Sequence, residues 1–222
     1  MALAVLAGVC HPHRAAMRLL AVPLAVLAFH GFAEPLPQPV RHQLVTAHFW
    51  HRGCPVSLSQ LRLLTLTYWG FDGRVHTGQL VVNRESATPL LRVFRRLYQL
   101  RFRIHHMRLV DAYGQGPRPA DTTSVFDCRF ASPSPCPGTG GTGHWSMHAY
   151  GLAVDLNPVE NPYVGCGRTR QRSSRPYLDR SRHRRGMVTP AVVRAFRSIG
   201  WGWGGAWLGT DRDYMHFSAT GH

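Results

Sequence analysis

Two β-prone stretches, Leu61 to Trp69 and Arg74 to Asn83, flank the turn residues Gly70-Phe71-Asp72-Gly73. Branched and aromatic side chains on either side of a Gly- and Asp-containing turn predict a hairpin, and the second strand alternates enough to keep one wet face. Further on, Leu90, Leu91, Val93, Phe94, Leu97 and Tyr98 recur at helical spacing while Arg92, Arg95, Arg96 and Gln99 take the other side. This predicts a core-packed helix with a basic, solvated back, opening at Thr88 as N-cap with Pro89 in the first helical position. A second helix is predicted from Thr189-Pro190, with Val192, Val193, Phe196 and Ile199 inward and a stop at Gly200. Met107 to Tyr113 reads as a strand entering a long loop, Gly114 to Thr123. Val154 to Asn157 reads as a buried strand ending at Pro158, and Asp213 to Phe217 as a last strand. The stretch Phe126 to Arg129 is too short to assign by period.

Between these elements the pattern is weak. Residues 34–60 are rich in Pro and His without a clear period and are expected to form an extended arm. Ser132 to Gly143, full of Pro, Gly, Ser and Thr, reads as a surface loop. Residues 159–186 carry Arg168, Arg170, Arg172, Arg175, Arg180, Arg182, Arg184 and Arg185 with little hydrophobic pattern, the composition of a flexible basic flap. Trp201, Trp203 and Trp207 are expected to be core residues among glycine turns. His42, His48 and His51 are assigned no role, and His105-His106 reads as a strand-end pair without function.

The chain has 222 residues, enough for one globular domain with appendages. All 26 of its basic side chains are arginine, against 11 acids, and the net charge of +15 should draw it to polyanions: nucleic acid, anionic lipid or an anionic cell wall. The N-terminus bears on that choice. Met17-Arg18, an apolar run from Leu19 to Phe29, and Gly31-Phe32-Ala33 before Glu34-Pro35 match the n-region, h-region and cleavage site of an export signal. The run is too short for a membrane span, which needs about 20 residues. Residues 1–33 are therefore expected to be a signal peptide with Met17 as its true start, residues 34–60 the arm, and residues 61–222 the domain. A buried N-terminal strand or helix is the alternative. A lipid-anchored start at Cys10 is disfavoured by Val9 beside the cysteine.

Export places Cys54, Cys128, Cys136 and Cys166 in a compartment that permits disulfides. Of the three possible pairings, Cys54 with Cys128 and Cys136 with Cys166 is the one expected. A four-cysteine zinc site is the alternative, but no pair has the usual short ligand spacing.

The chemistry centres on Ser146-Met147-His148-Ala149-Tyr150-Gly151-Leu152-Ala153-Val154-Asp155 and on Asp213-Tyr214-Met215-His216. Catalytic zinc takes three protein ligands, commonly histidines with a carboxylate, and leaves a position for water. His148, Asp155 and His216 are a candidate set, and Asp213 a candidate proton carrier. An extended backbone would not aim Asp213 and His216 the same way, so a bend or strand end is required between them. The H-E-x-x-H zinc motif is absent, because Trp145 stands where it needs Glu.

Ser146-x-His148-x-x-Gly151-x-Ala153-x-Asp155 followed by Asp213-x-x-His216 resembles the zinc D-alanyl-D-alanine carboxypeptidase and L-alanyl-D-glutamate endopeptidase family, which trims bacterial peptidoglycan peptides. The likeness takes in Phe126-Asp127-Cys128-Arg129, Asn157 to Tyr163, Trp201 to Gly205 and Tyr214 to Phe217, covering roughly residues 50–220. It implies an α+β fold, a small antiparallel sheet flanked by helices, shared with the signalling domain of Hedgehog proteins. It further implies zinc on His148, Asp155 and His216, Asp213 as catalytic acid/base, and Arg129 and Ser146 as substrate contacts. Asp127 stands where members of this subgroup often have Asn, and the loop carrying Cys136 is longer than usual.

These readings converge on a secreted, monomeric bacterial zinc peptidase acting on peptidoglycan peptides and retained by anionic wall polymers. The competing expectation is a non-catalytic zinc-containing wall-binding or signalling module. A nucleic-acid binder, which would show steep salt dependence, is disfavoured by the export signal. No stable membrane span is expected.

Overall fold

The computed structural model describes residues 1, 28–109, 112, 121–141 and 143–222. Strand β1 (Gly31–Pro35) and helix α1 (Gln38–Thr46) lead into the hairpin of β2 (Leu61–Gly70) and β3 (Val75–Asn83), helix α2 (Arg84–Gln99) and the short β4 (Arg103–Ile104). After them come β5 (Ala153–Asp155), β6 (Tyr163–Gly165), helix α3 (Pro190–Arg197), β7 (Gly202–Trp203), β8 (Asp211–Asp213) and β9 (His216–Ser218). One sheet runs β1-β2-β3 antiparallel, with β4 added parallel to the end of β2; a second runs β5-β9-β7; and β6 pairs with β8 as a ribbon. The fold is α+β with small antiparallel sheets and flanking helices, as the sequence implied. Among the described residues no helix is long and apolar enough to cross a membrane.

The hairpin is covered on both faces at its base, which explains why β2 reads almost continuously apolar. Leu64, Leu66, Tyr68, Leu80 and Val82 face the larger core with α2 and α3, while Leu61, Leu63 and Val81 face a smaller one with Leu36, Leu44, Val56 and Phe126. Because side chains alternate along a strand, the even and odd positions divide between the two cores. The smaller core corrects the expectation of an extended arm over residues 34–60 and of a domain beginning at residue 61. Those residues contain α1, its Leu44 fully buried, and β1 pairs with β2 from Gly31↔Leu66 to Pro35↔Arg62. A single buried leucine in a nine-residue helix leaves no period to read. The expected signal segment lies mostly outside the described residues, and its described end, residues 31–33, is part of β1.

Other boundaries moved for identifiable reasons. Helix α2 starts five residues before Pro89, because the Asn83 side chain accepts the Glu85 N–H and caps the helix there. Pro89 is accommodated inside it. The predicted strand over 107–113 is not seen in its described residues; Ala112 N–H donates to the Arg108 carbonyl, a helical bond. The loop expected over 114–123 lies largely outside the described residues. The basic flap is instead built structure. It contains β6 and a 3₁₀ turn over Arg172–Tyr177, and Arg180 reaches inward to donate to the Glu160 carbonyl (2.7 Å) and to Asn161 Oδ1 (3.1 Å). Buried Asn161 in turn donates to the Leu156 and Gly186 carbonyls and accepts the Val188 N–H. Polar side chains satisfying backbone groups leave no hydrophobic period, so composition alone misread the segment.

Candidate metal centre

The centre is positioned by one register. In the β5–β9 pair, Val154 lies opposite Phe217 and Asp155 opposite His216. Val154 and Phe217 are fully buried in the larger core, where Phe217 stacks on Phe196 with ring centroids 3.9 Å apart. The next residue along each strand must point the other way. That alternation delivers Asp155 and His216 together to the opposite face, into a cavity of about 450 Å³.

His148 arrives from the turn before β5. Ser146 caps a short 3₁₀ helix, Met147–Tyr150, its Oγ accepting the His148 N–H at 3.3 Å. Gly151 ends that helix in the left-handed region (φ 67°), and a Cβ there would stand 2.7 Å from the Asn83 backbone nitrogen. Only glycine fits both requirements. Asn83, the cap of α2, also donates through its side chain to the Tyr150 carbonyl, so helix and ligand turn are locked together. The motif Ser146-x-His148-x-x-Gly151-x-Ala153-x-Asp155 thus resolves into cap, candidate ligand, left-handed stop, buried small residue and second candidate ligand.

His148 Nε2 and His216 Nδ1 each stand 3.2 Å from Asp155 Oδ1. His148 Nδ1 donates to the Val125 carbonyl at 2.6 Å, which fixes the ring and leaves Nε2 turned to the centre. His148 and His216 are buried, and among the described residues the Nε2 atoms of both have no hydrogen-bond partner. Burial alone would raise the Asp155 carboxyl, but the adjacent His148 imidazole, with His216 behind it, holds it well below the usual carboxylate range. An ionised carboxylate with His148 Nε2 and His216 Nδ1 each 3.2 Å from its Oδ1, the His148 nitrogen without a hydrogen-bond partner among the described residues, forms a donor set that suits zinc. Residues His148, Asp155 and His216 fit that ion.

Asp213 ends β8, and the backbone bends at Tyr214-Met215 before β9 begins. The expected single strand over 213–217 is therefore two, with the break that the spacing of Asp213 and His216 requires. The Leu156 N–H donates to the Met215 carbonyl and the Trp203 indole to the Tyr214 carbonyl, pinning the bend. Gly204 packs so close that a Cβ would lie 2.5 Å from the Asp213 carbonyl oxygen. Asp213 lines the cavity, and its buried Oδ1 has no hydrogen-bond partner among the described residues. Burial first, and then the neighbouring Asp155 charge, push its carboxyl up to about 7. A carboxyl with that pKa can take up and release a proton near neutrality.

A strap over residues 122–130, legible only in part from sequence, ties these pieces together. Ser124 and Asp155 exchange backbone hydrogen bonds (3.2 and 3.0 Å), the Phe126 N–H donates to the Val81 carbonyl, and the Asp127 N–H to the His148 carbonyl. Arg129, at the end of the strap, reaches the cavity. Its guanidinium donates to Asp127 Oδ2 (3.2 Å), Ser132 Oγ (3.0 Å) and the Phe130 carbonyl. Ser146 lines the same cavity beyond its capping role. The structure thus brings together all six residues singled out from sequence.

The walls were less legible. The Ser132–Gly143 loop is tied to β6 by the Cys136–Cys166 disulfide, while Cys54–Cys128 fastens the strap to the segment after α1. Ser134 Oγ donates to Asp211 Oδ1 (2.8 Å), and the Tyr163 hydroxyl to Asp211 Oδ2 (3.1 Å). Burial and the adjacent Asp211 charge push the Tyr163 hydroxyl up to about 12, so it stays a donor. Trp201 and Trp203 pack with the core as expected, but Trp207 instead lines the cavity, 5.9 Å from the His216 ring and edge-on to Tyr163. Its placement after the Gly204-Gly205 turn, outside any strand, was the available signal. Tyr163 and Trp145, also lining the cavity, carried none.

Over residues 139–219 the chain matches the family model for D-alanyl-D-alanine carboxypeptidase. The match contains His148, Asp155, Asp213 and His216, and supports the family resemblance read from the sequence. No curated protein and no solved structure matches the chain.

Proposed function

We propose that this chain, whose residues 139–219 carry the domain of a D-alanyl-D-alanine carboxypeptidase family, is a secreted zinc peptidase. It cuts peptide bonds next to D-amino acids in peptidoglycan stem peptides. The observation that carries the reading is the convergence of His148, Asp155 and His216 on one cavity, which Asp213 also lines with a buried Oδ1 that has no hydrogen-bond partner among the described residues. His148, Asp155 and His216 would hold zinc. Bound there, zinc supplies Lewis acidity, polarising the scissile carbonyl and lowering the pKa of water to about 7.

The chain's own residues do the rest. Asp213, outside the ligand set and with a free buried oxygen, accepts the proton of the attacking water and returns it to the leaving amine. Its raised pKa suits both halves of that transfer. Arg129, steadied by Asp127 and Ser132, presents positive charge to a substrate carbonyl or carboxylate. Trp207 and Tyr163 narrow the cavity and displace water from around the ligands. A zinc module serving structure alone has no use for an unpaired buried carboxylate, which by itself is destabilising. The excess of arginine favours retention of the secreted protein on anionic wall polymers.

The test is zinc content together with mass spectrometry of digested peptidoglycan fragments. Purified protein should contain zinc at the His148 centre and release D-Ala or split stem peptides, the fragment masses distinguishing terminal from internal cleavage. Full activity in His216→Ala or Asp213→Ala would overturn the assignment.

A further inference from the structure

A second set of the same residue types lies outside the cavity. His105 Nε2 stands 3.3 Å from Asp121 Oδ2 and 3.3 Å from Glu160 Oε1, and one donor atom from each residue lies within 4.8 Å of the others. Asp121 is 8 % and Glu160 2 % exposed. Among the described residues, Asp121 Oδ2 and Glu160 Oε2 have no hydrogen-bond partner. Two carboxylates side by side and out of water repel each other and forgo hydration, so both call for a compensating charge. One imidazole does not suffice. Burial pulls the His105 ring below its ordinary value even though Asp121 opposes this. Burial, followed by the neighbouring Asp121 carboxylate, pushes Glu160 up to about 8, so without a cation the pair retains a proton at neutral pH.

The donors are held in place from behind. The His105 ring stacks on Phe71 with centroids 3.5 Å apart, and its backbone N–H donates to Asn157 Oδ1. Asp121 Oδ1 accepts the Val159 N–H at 2.9 Å, which turns Oδ2 toward the cluster. Asn157, in the left-handed region at φ 43°, donates to the Arg103 and Gly186 carbonyls and fixes the segment that carries Glu160.

We propose that His105, Asp121 and Glu160 form a second binding site, for a divalent transition-metal cation of the zinc class. Ligand atoms about 2.1 Å from a tetrahedral ion lie roughly 3.4 Å apart, and both histidine–carboxylate distances are 3.3 Å. An imidazole beside two carboxylates suits zinc or manganese; calcium prefers six to eight oxygens. The cation would join three chain segments: the end of β4, the start of the strap, and the turn after β5. Three residues beyond Asp121, Ser124 brackets Asp155. The buried Asn157 N–H meets Thr123 Oγ1 at 3.1 Å. The site is therefore a clamp behind the proposed catalytic ligands and stands apart from the reaction proposed above.

The experiment is elemental analysis of the full chain after loading with Zn²⁺ and dialysis, paired with thermal unfolding. Wild type should retain two equivalents. Glu160→Gln and His105→Ala should each retain one, as should His148→Ala, which empties the other centre. In His148→Ala, added Zn²⁺ should still raise the unfolding temperature, and in His148→Ala/Glu160→Gln it should not. A single equivalent in wild type, or two in both Glu160→Gln and His105→Ala, overturns the proposal. The first result, with a proton taken up between pH 6 and 9, assigns the cluster to a proton-sharing carboxyl pair. Should Glu160→Gln fail to fold, His105→Ala decides, since that side chain is already 34 % exposed. Loss of the second equivalent leaves the His148 centre untouched, so the two proposals fail separately.

Discussion

Replacing Cys54 and Cys128 together by serine should cost more stability than replacing Cys136 and Cys166, even though the second bridge borders the cavity. The two bridges span 74 and 30 residues. The chain-entropy relation gives about 4.5 kcal/mol for the longer loop and about 3.7 kcal/mol for the shorter. Burial widens the gap. Cys128 lies 6 % exposed in the smaller core with Leu61 and Phe126, and a serine hydroxyl placed there without a designed partner adds a further 1–3 kcal/mol, roughly. The Cys54→Ser/Cys128→Ser variant should therefore lose about 5.5–7.5 kcal/mol, a large part of the 5–15 kcal/mol that typically separates folded from unfolded states. The assay is urea unfolding followed by tryptophan fluorescence. Free energies rather than midpoints should be compared, because removing a cross-link expands the unfolded chain and steepens the transition. An equal or larger loss for Cys136→Ser/Cys166→Ser would refute the reasoning, as would a loss below about 1 kcal/mol for the longer loop.

Three further outcomes can be checked. Because burial and Asp155 push Asp213 up to about 7, its basic form is lost as pH falls; kcat/KM should drop below about pH 7, at a point lowered by any nearby zinc charge, and an acid limb above 7 contradicts this. Asp213→Asn should reduce kcat by about 10²–10⁴-fold with zinc content unchanged at the His148 centre. Gly151→Ala forces a side chain into left-handed backbone, about 1–2 kcal/mol, and against the Asn83 nitrogen; it should lower the unfolding temperature and weaken zinc retention together. Phe217→Ala should cost about 3–5 kcal/mol and, because its strand neighbour is His216, weaken zinc retention as well; stability loss with unaltered zinc affinity would show that core and centre are not coupled.

Strong periodicity made the hairpin and α3 readable, and cap chemistry placed the start of α3 at Thr189. The start of α2 was misplaced because Thr88-Pro89 looked like a cap, whereas Asn83 performs that role and also holds the ligand turn. Strands β6 and β8 are three residues each, too short for alternation to register. Asp211, which accepts from the Tyr163 hydroxyl and from Ser134 Oγ, links the two strands and their neighbouring loop, contacts invisible to a hydrophobic pattern. The six cavity residues were legible because their spacing matched a known motif. His105, Asp121 and Glu160 come from three separate segments with no motif of their own, and only folding makes them a cluster.

The pairing of Asp155 with His216 also orders events in time. The two ligands are 61 residues apart and meet only when β9 has slotted between β5 and β7. A chain emerging from its N-terminal side already carries His148 and Asp155, two of the three proposed donors. His216, the third proposed donor, meets them only when residues 216–218 pair with β5. Under the proposed assignment, a chain in which β9 has not yet paired with β5 holds no complete donor set and is inactive.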